Sequence, residues 1–213
     1  MATSSRPYRG VSAEARRADR RARLIEAGLE LLGERGWAGT TVRAVCAEAE
    51  LTERYFYESF DNREQLILAV FDRVTSEAAE AVLAAVAAAP HAARAKARAA
   101  IEAFVEMLTD DPRRARAILV EPVGSEAGEA RRREAIRSFA ALVADQASSF
   151  YGPAALAPED AALTAMALVG GLAELLVSWL EGELAVPRER LIDHGTELFV
   201  AAATVSSARR APG

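Results

Sequence analysis

One cysteine, one lysine and two histidines in 213 residues exclude several kinds of protein at once. A single Cys46 closes no intramolecular disulfide, and His91 and His194 lie too far apart to give metal-ligand spacing. Cys46 itself falls on an apolar stripe, which suits core better than a nucleophile. There is no glycine-rich phosphate loop and no GxSxG, so no catalytic residue, metal or cofactor is expected. The alternation that marks strands is missing, as is any repeat of fixed period. The amino terminus has no apolar signal segment, and apolar runs such as VLAAVAAA are too short to span a bilayer, so a cytoplasmic location is expected.

What remains is helical and unevenly charged. The first twenty-three residues hold seven arginines against Glu14 and Asp19, whereas residues 66–213 hold fifteen basic and twenty acidic side chains. With a net charge of −5 the chain is no basic nucleic-acid coat, but a local arginine cluster suits docking by one end. Residues 1–12 read as a disordered arm, able to grip phosphate or the minor groove once DNA is present. The run RRADRRAR then leads into Leu24, Gly28, Leu31 and Leu32, the stripe of a helix ending near Gly36.

The stretch from Thr40 to Leu66 carries the functional signal. Val42, Val45, Cys46 and Ala49 make one stripe on a short helix capped by Thr41. After Glu50 and Leu51 a second helix restarts at Thr52, with Phe56 and Phe60 pointing inward. Arg54, Tyr55, Tyr57 and Ser59 are left outward, and Arg63 follows at the next helix start. These are donors suited to phosphate oxygens and base edges rather than the Glu/Lys mixture of an ordinary exposed face. By spacing alone the same pair of helices would serve a protein that never meets nucleic acid, such as a helical adaptor. Salt separates the two, because phosphate contacts make affinity fall steeply as salt rises.

Read together, the basic first helix, RGWAGTTVRAVCAEA and LTERYFYESFDNREQLILAVF resemble the DNA-binding segment of the TetR family of transcriptional regulators. The resemblance spans Arg21 to Val74, and its most specific part is Tyr57, Phe60, Arg63 and Leu66; Gly36, Trp37 and Arg43 also match. It implies phosphate contacts by Thr52 and Tyr57, a cationic anchor at Arg63, and base-edge contacts by Arg54 and Tyr55. Arg43 would meet backbone or a flanking base. Two positions depart from the family: Glu50 stands where the turn usually has glycine, and Arg54 where glycine is frequent. If Glu50 keeps a positive φ it carries strain, and the base preferred at Arg54 is not inherited.

Beyond Val74 the chain is alanine-rich. The pattern predicts a helix ending before Pro90, another with Ile101, Phe104, Val105 and Leu108 on one face, and a third from Asp110-Asp111-Pro112 through Ile118 and Leu119 to Glu121. A long helix over 126–150, a linker YGPAALAP, and helices over 159–180 and 188–205 follow. The expected fold is all-α, with nine or ten helices: a three-helix DNA-binding domain over 13–65, then a larger helical regulatory and dimerisation domain over 66–213, the fourth helix running from one into the other. Gly170-Gly171 and Gly195 would permit close helix approach, so the helices at 159–181 and 188–205 are the expected homodimer surface.

The resemblance further implies an effector pocket in the larger domain. Phe104, Met107, Leu108, Ile118, Glu121, Phe150, Met166 and Trp179 are candidates for its lining and suit a mostly apolar small molecule, though each would serve equally as core. Glu174 is a further acid beside apolar stripes. The resulting expectation is a dimeric, ligand-responsive repressor on a pseudo-palindromic operator in double-stranded DNA; an activator of the same fold or a protein adaptor is the alternative.

Overall fold

The computed structural model describes residues 12–120 and 126–208. Among them are nine α-helices and no strand: α1 Ala13–Gly39, α2 Val42–Glu48, α3 Glu53–Tyr57, α4 Arg63–Ala88, α5 Ala93–Thr109, α6 Pro112–Ala115, α7 Glu126–Tyr151, α8 Pro158–Leu180 and α9 Arg188–Ala208. They fall into two compact units that divide between Val70 and Phe71.

In the first unit, apolar residues of α1 to α4 close one core around Leu24, Leu32, Val45, Phe56, Leu66 and Val70, all of them inaccessible to solvent. The α1–α4 approach is close because Gly28 has no side chain: a Cβ there would meet Val70 Cγ2 at 3.0 Å and Leu66 at 3.4 Å. Ser12 belongs to this unit as the cap of α1, its hydroxyl accepting from Ala15 N–H at 3.0 Å, so the arm expected over 1–12 loses its last residue to the helix. The rest of that arm lies outside the described residues. Gly36, at φ 66°, breaks α1 where the stripe runs out, and the buried Thr40 hydroxyl donates to the freed Gly36 carbonyl at 2.8 Å. Thr41 caps α2 by accepting from Ala44 N–H at 3.2 Å, as its position predicts. Thr52 has the extended backbone of a cap, but its hydroxyl makes no cap hydrogen bond, contrary to expectation. At the start of α4, Asn62 accepts from Gln65 N–H at 2.9 Å while Gln65 Oε1 accepts from Asp61 N–H at 3.0 Å, a reciprocal cap that fixes the helix origin beside Arg63.

In the second unit α5 lies along α9 and α7 along α8. Gly195 lets α9 approach α5, its would-be Cβ lying 3.3 Å from Ile101. Arg98 of α5 ties the same pair together through Asp193 at 2.6 Å and through Glu189. The helix expected to run from Pro112 to Glu121 does not stay α-helical. After α6, capped by Asp111, residues Arg116–Val120 widen to a π-helical turn that buries Ala117, Ile118 and Leu119 together. Glu121 itself lies outside the described residues. The expected linker is shorter than its composition suggests: α7 reaches Tyr151, and Gly152–Ala154 form a 3-10 turn.

Two features of α8 depart from the sequence reading. Gly170 and Gly171 have no group of this chain within 4 Å of a would-be Cβ, so the close approach expected there is not made within the chain. The helix is also long and apolar enough to cross a bilayer by length and composition, its mean hydropathy reaching 1.8 over eighteen residues even though Thr164, Glu174 and Ser178 interrupt its apolar runs.

The turn after α2 holds the one non-glycine residue of positive φ among those described, Glu50 at φ 53°. Its carboxylate reaches only Arg23, 4.0 Å away and largely in solvent, so nothing substantial offsets the backbone strain of about 1–3 kcal/mol. Replacing Glu50 by glycine relieves that strain against an unfolded-state entropy cost of about 0.4–1 kcal/mol. Urea denaturation of Glu50→Gly should therefore show a net stabilisation of about 1 kcal/mol, and a less stable variant would contradict the strain.

Candidate nucleic-acid interface

The short helix α3 presents two unlike sides. Phe56 is fully buried, stacked at 5.7 Å against Phe60 and edge-on at 5.4 Å to Tyr57. On the other side the Arg54 side chain is 85% exposed, and Tyr57 is 56% exposed despite its ring contact with Phe56. Thr52 is exposed as well, Ser59 half-buried, and Arg43 exposed on α2. The turn that sets α3 against α2 is held by Leu51 N–H donating to Cys46 O at 2.9 Å and by Arg23 donating to the Ala49 carbonyl at the end of α2. Of the candidate contacts, Arg43, Thr52, Arg54 and Tyr57 are thus exposed and Ser59 is half-buried.

Tyr55 and Arg63 are held differently from their neighbours. The Arg20 guanidinium sits 4.5 Å from the centre of the Tyr55 ring, leaving that side chain half-buried. Arg63 lies 5.3 Å over the Trp37 ring and donates to the Trp37 carbonyl at 3.3 Å, so its charge is partly turned back onto α1. Arg21 similarly covers Phe60 at 5.0 Å. The arginine cluster of α1 is therefore partly structural: Arg20, Arg21 and Arg23 brace α2 and α3 while raising the local positive charge. Sequence gave no sign of that bracing, since their aromatic and carbonyl partners lie 26 to 39 positions further along the chain.

Glu58 links two of these groups. It accepts from Arg54 Nε at 3.3 Å and from Arg20 Nη2 at 3.5 Å, so the most exposed arginine of the face is held by an intramolecular acid. Cys46 stands behind the turn, where burial first and the nearby Glu53 charge second push its thiol pKa up. A protonated, buried thiol is a poor nucleophile.

The other unit holds two apolar cavities. The larger, about 380 Å³, is lined by Val86, His91, Lys96, Leu142, Phe150 and Leu168 among others. The smaller, about 100 Å³, is lined by Thr75, Ile101, Phe104, Ile118, Arg132 and Leu172 among others. Of the residues considered for an effector, Phe150 lines the first and Phe104 and Ile118 the second. Leu108 is fully buried core, and Met107 is half-buried away from both. Met166 faces outward, and Trp179 donates its indole N–H to the Val186 carbonyl at 2.8 Å. Glu174 is exposed and pairs with Arg132.

Residues 24–70, the unit that carries this face, match the family model described as bacterial regulatory proteins, tetR family. Over those residues the chain carries a domain of the tetR type. Solved structures share the fold over nearly the whole chain. A protein of Pseudomonas aeruginosa PAO1 described as a transcriptional regulator is 22% identical, with a TM-score of 0.72 over 93% of this chain and 99% of its own. A TetR-like transcriptional regulator from Rhodococcus sp. RHA1 is 20% identical, with a TM-score of 0.62 over 90% and 97%. The transcriptional regulator FadR from Bacillus subtilis, solved in complex with stearoyl-CoA, is 14% identical, with a TM-score of 0.68 over 86% and 97%. No curated protein matches the chain.

Glu58 engages both Arg20 and Arg54; on a DNA-docking face it would hold Arg54 back and place negative charge near phosphate. Glu58→Gln should strengthen duplex binding by up to about fivefold at low salt, in line with an exposed ion pair. Fluorescence anisotropy across a salt series checks this, and unchanged or weaker binding would show that Glu58 does not restrain Arg54.

Proposed function

We propose that this regulator is a repressor that binds a pseudo-palindromic operator as a homodimer and is released by a small, mainly apolar effector. The observation that carries the DNA-binding part is α3 itself. A five-residue helix pinned by one buried phenylalanine presents a largely exposed arginine, held at its base by Glu58, and a half-exposed tyrosine. In this reading Arg54 makes a bidentate contact to a guanine edge, and Tyr55, its ring face engaged by Arg20, contacts a thymine methyl or the backbone. Thr52, Tyr57 and Ser59 meet phosphate and set register; Arg43 meets backbone or a flanking base, and Arg63 supports them from the start of α4.

The dimer is assigned to α8 and α9. Leu163 is 71% exposed, Met166 of α8 and Leu198 of α9 are exposed as well, and Gly170-Gly171 have open space where a partner's helix could approach. Two-fold symmetry would place the recognition helices on half-sites about one turn of DNA apart. A cytoplasmic location follows from this work on DNA.

The effector is assigned to the cavities of the second unit, which are lined almost wholly by apolar groups. A fold relative solved with stearoyl-CoA supports an effector of that kind. Occupancy would favour a state in which α4, whose residues belong to both units, no longer holds the recognition helices at operator spacing. A coupling of about 1–3 kcal/mol lowers operator affinity about five- to 150-fold.

Selection of bound duplexes from a random pool tests the reading directly, and should return inverted repeats with half-sites about one turn apart; sequence-independent binding, or binding indifferent to salt, would favour an adaptor. On the selected site, Arg54→Ala should cost about 1–3 kcal/mol and relax preference at one base pair per half-site. Equal weakening on every sequence would remove Arg54 from base readout. Leu163→Glu should convert a dimer to a monomer at micromolar concentration in sedimentation velocity, and an unaltered dimer would move the interface elsewhere.

A further inference from the structure

The two cavities differ in how their polar groups are satisfied. They share Val82, Ala100, Phe139, Val143 and Phe199 as common wall, so they lie side by side. In the larger, Lys96 already donates to the Val86 carbonyl at 2.8 Å, and His91 stacks on Phe150 at 4.8 Å. In the smaller, Thr75 Oγ1 and Arg132 Nε are buried and have no hydrogen-bond partner among the described residues. Leaving such a group unmet costs as much as a lost hydrogen bond or more, so two at one cavity call for an explanation. Ile118 and Leu119 of the π-helical turn, a feature frequent at functional sites, line the same wall.

Resting on the reading of this unit as the effector-binding part, we propose that the smaller compartment is the polar end of the site. It receives a neutral carbonyl group of an otherwise apolar ligand, whose hydrocarbon part fills the larger compartment. The carbonyl oxygen has two lone pairs, and the two unmet groups supply two donors, Arg132 Nε–H and Thr75 Oγ–H. The charge state follows from Glu174. That carboxylate already pairs with the Arg132 guanidinium from the exposed side of α8, so the cation has its counter-ion. A ligand carboxylate would place a second negative charge on the same guanidinium inside an apolar cavity, where desolvation is expensive. A ketone, ester or thioester carbonyl adds the missing acceptor without that charge. The combined space, about 380 and 100 Å³, lies within the range of small-molecule sites.

Calorimetric titration of the full chain, without DNA, with decan-2-one, decanoate and decane tests this. Decan-2-one should bind, and Arg132→Met and Thr75→Val should each weaken it by about tenfold while leaving decane unchanged. Infrared spectra of carbonyl-labelled decan-2-one should show its band moved to lower frequency by the protein and restored toward the free value in Arg132→Met, a signature that packing alone would not produce. Decanoate binding more tightly than the ketone would overturn the neutral-carbonyl assignment. Decane binding as well as the ketone, or no binding of decan-2-one, would overturn the polar end altogether. Thermal melting of both variants separates misfolding from lost contacts, and Thr75→Val, nearly isosteric, carries the test if Arg132→Met fails to fold. Operator affinity measured separately keeps the readings apart: ketone binding that leaves operator affinity unchanged would defeat the effector mechanism while leaving the site intact.

Discussion

Burial of Phe56 is the constraint on which the DNA-facing half of this protein depends. An isolated helix of five residues is far below the length at which hydrogen bonding outweighs nucleation, so α3 exists only because its inward side is packed. Phe56 is completely enclosed, touches Phe60 and Tyr57 ring to ring, and lies in the same core as Leu24, Leu32, Val45 and Leu66. That fixes the rotation of α3 about its axis. With a turn of 3.6 residues, fixing Phe56 inward leaves Arg54 nearly opposite and Tyr57 about a quarter-turn round, half-exposed beside it.

Around that anchor, cationic side chains do two jobs. Arg23 satisfies a terminal carbonyl of α2, and Arg20, Arg21 and Arg63 lie over aromatic rings of α3, the turn after it and the end of α1. Such contacts are worth about 0.5–1 kcal/mol each at partly exposed sites, enough together to hold a short helix in place. They also keep positive charge beside the recognition face, so bracing and electrostatic attraction come from the same residues. Glu58 opposes this by engaging Arg20 and Arg54, and Glu50 adds strain and negative charge at the turn. On a DNA-docking face both acids would restrain how strongly it binds.

The second unit follows a different logic. Its ion pairs lie at helix edges, as Arg98 with Glu189 and Asp193 and Arg94 with Glu197, while its interior is apolar and incompletely filled. Helices rich in alanine pack with little side-chain volume, which leaves a chamber where larger residues would have interlocked. The unmet Arg132 Nε and Thr75 Oγ1 give that chamber a direction, polar at one end and hydrocarbon along the rest.

Local spacing in the sequence determined the all-α class, the helix-turn-helix and the exposure of Arg54 and Tyr57, while Tyr55 and Ser59, read as outward, are half-buried. Three- and four-residue periodicities, the Thr41 cap and the break at Gly36 act over a few neighbours and need no tertiary context. The conditional strain at Glu50 was legible for the same reason, since a turn of that length demands a left-handed residue. Tertiary structure alone decided the rest. Arg20 meets Tyr55, Arg132 meets Glu174 and Gly195 meets Ile101 across 35, 42 and 94 positions, separations at which no periodicity survives. The same holds for the cavity wall: Phe104 and Ile118 face it while Leu108 on the same apolar stripe is core, because a stripe says which side is buried and only packing says whether it is filled.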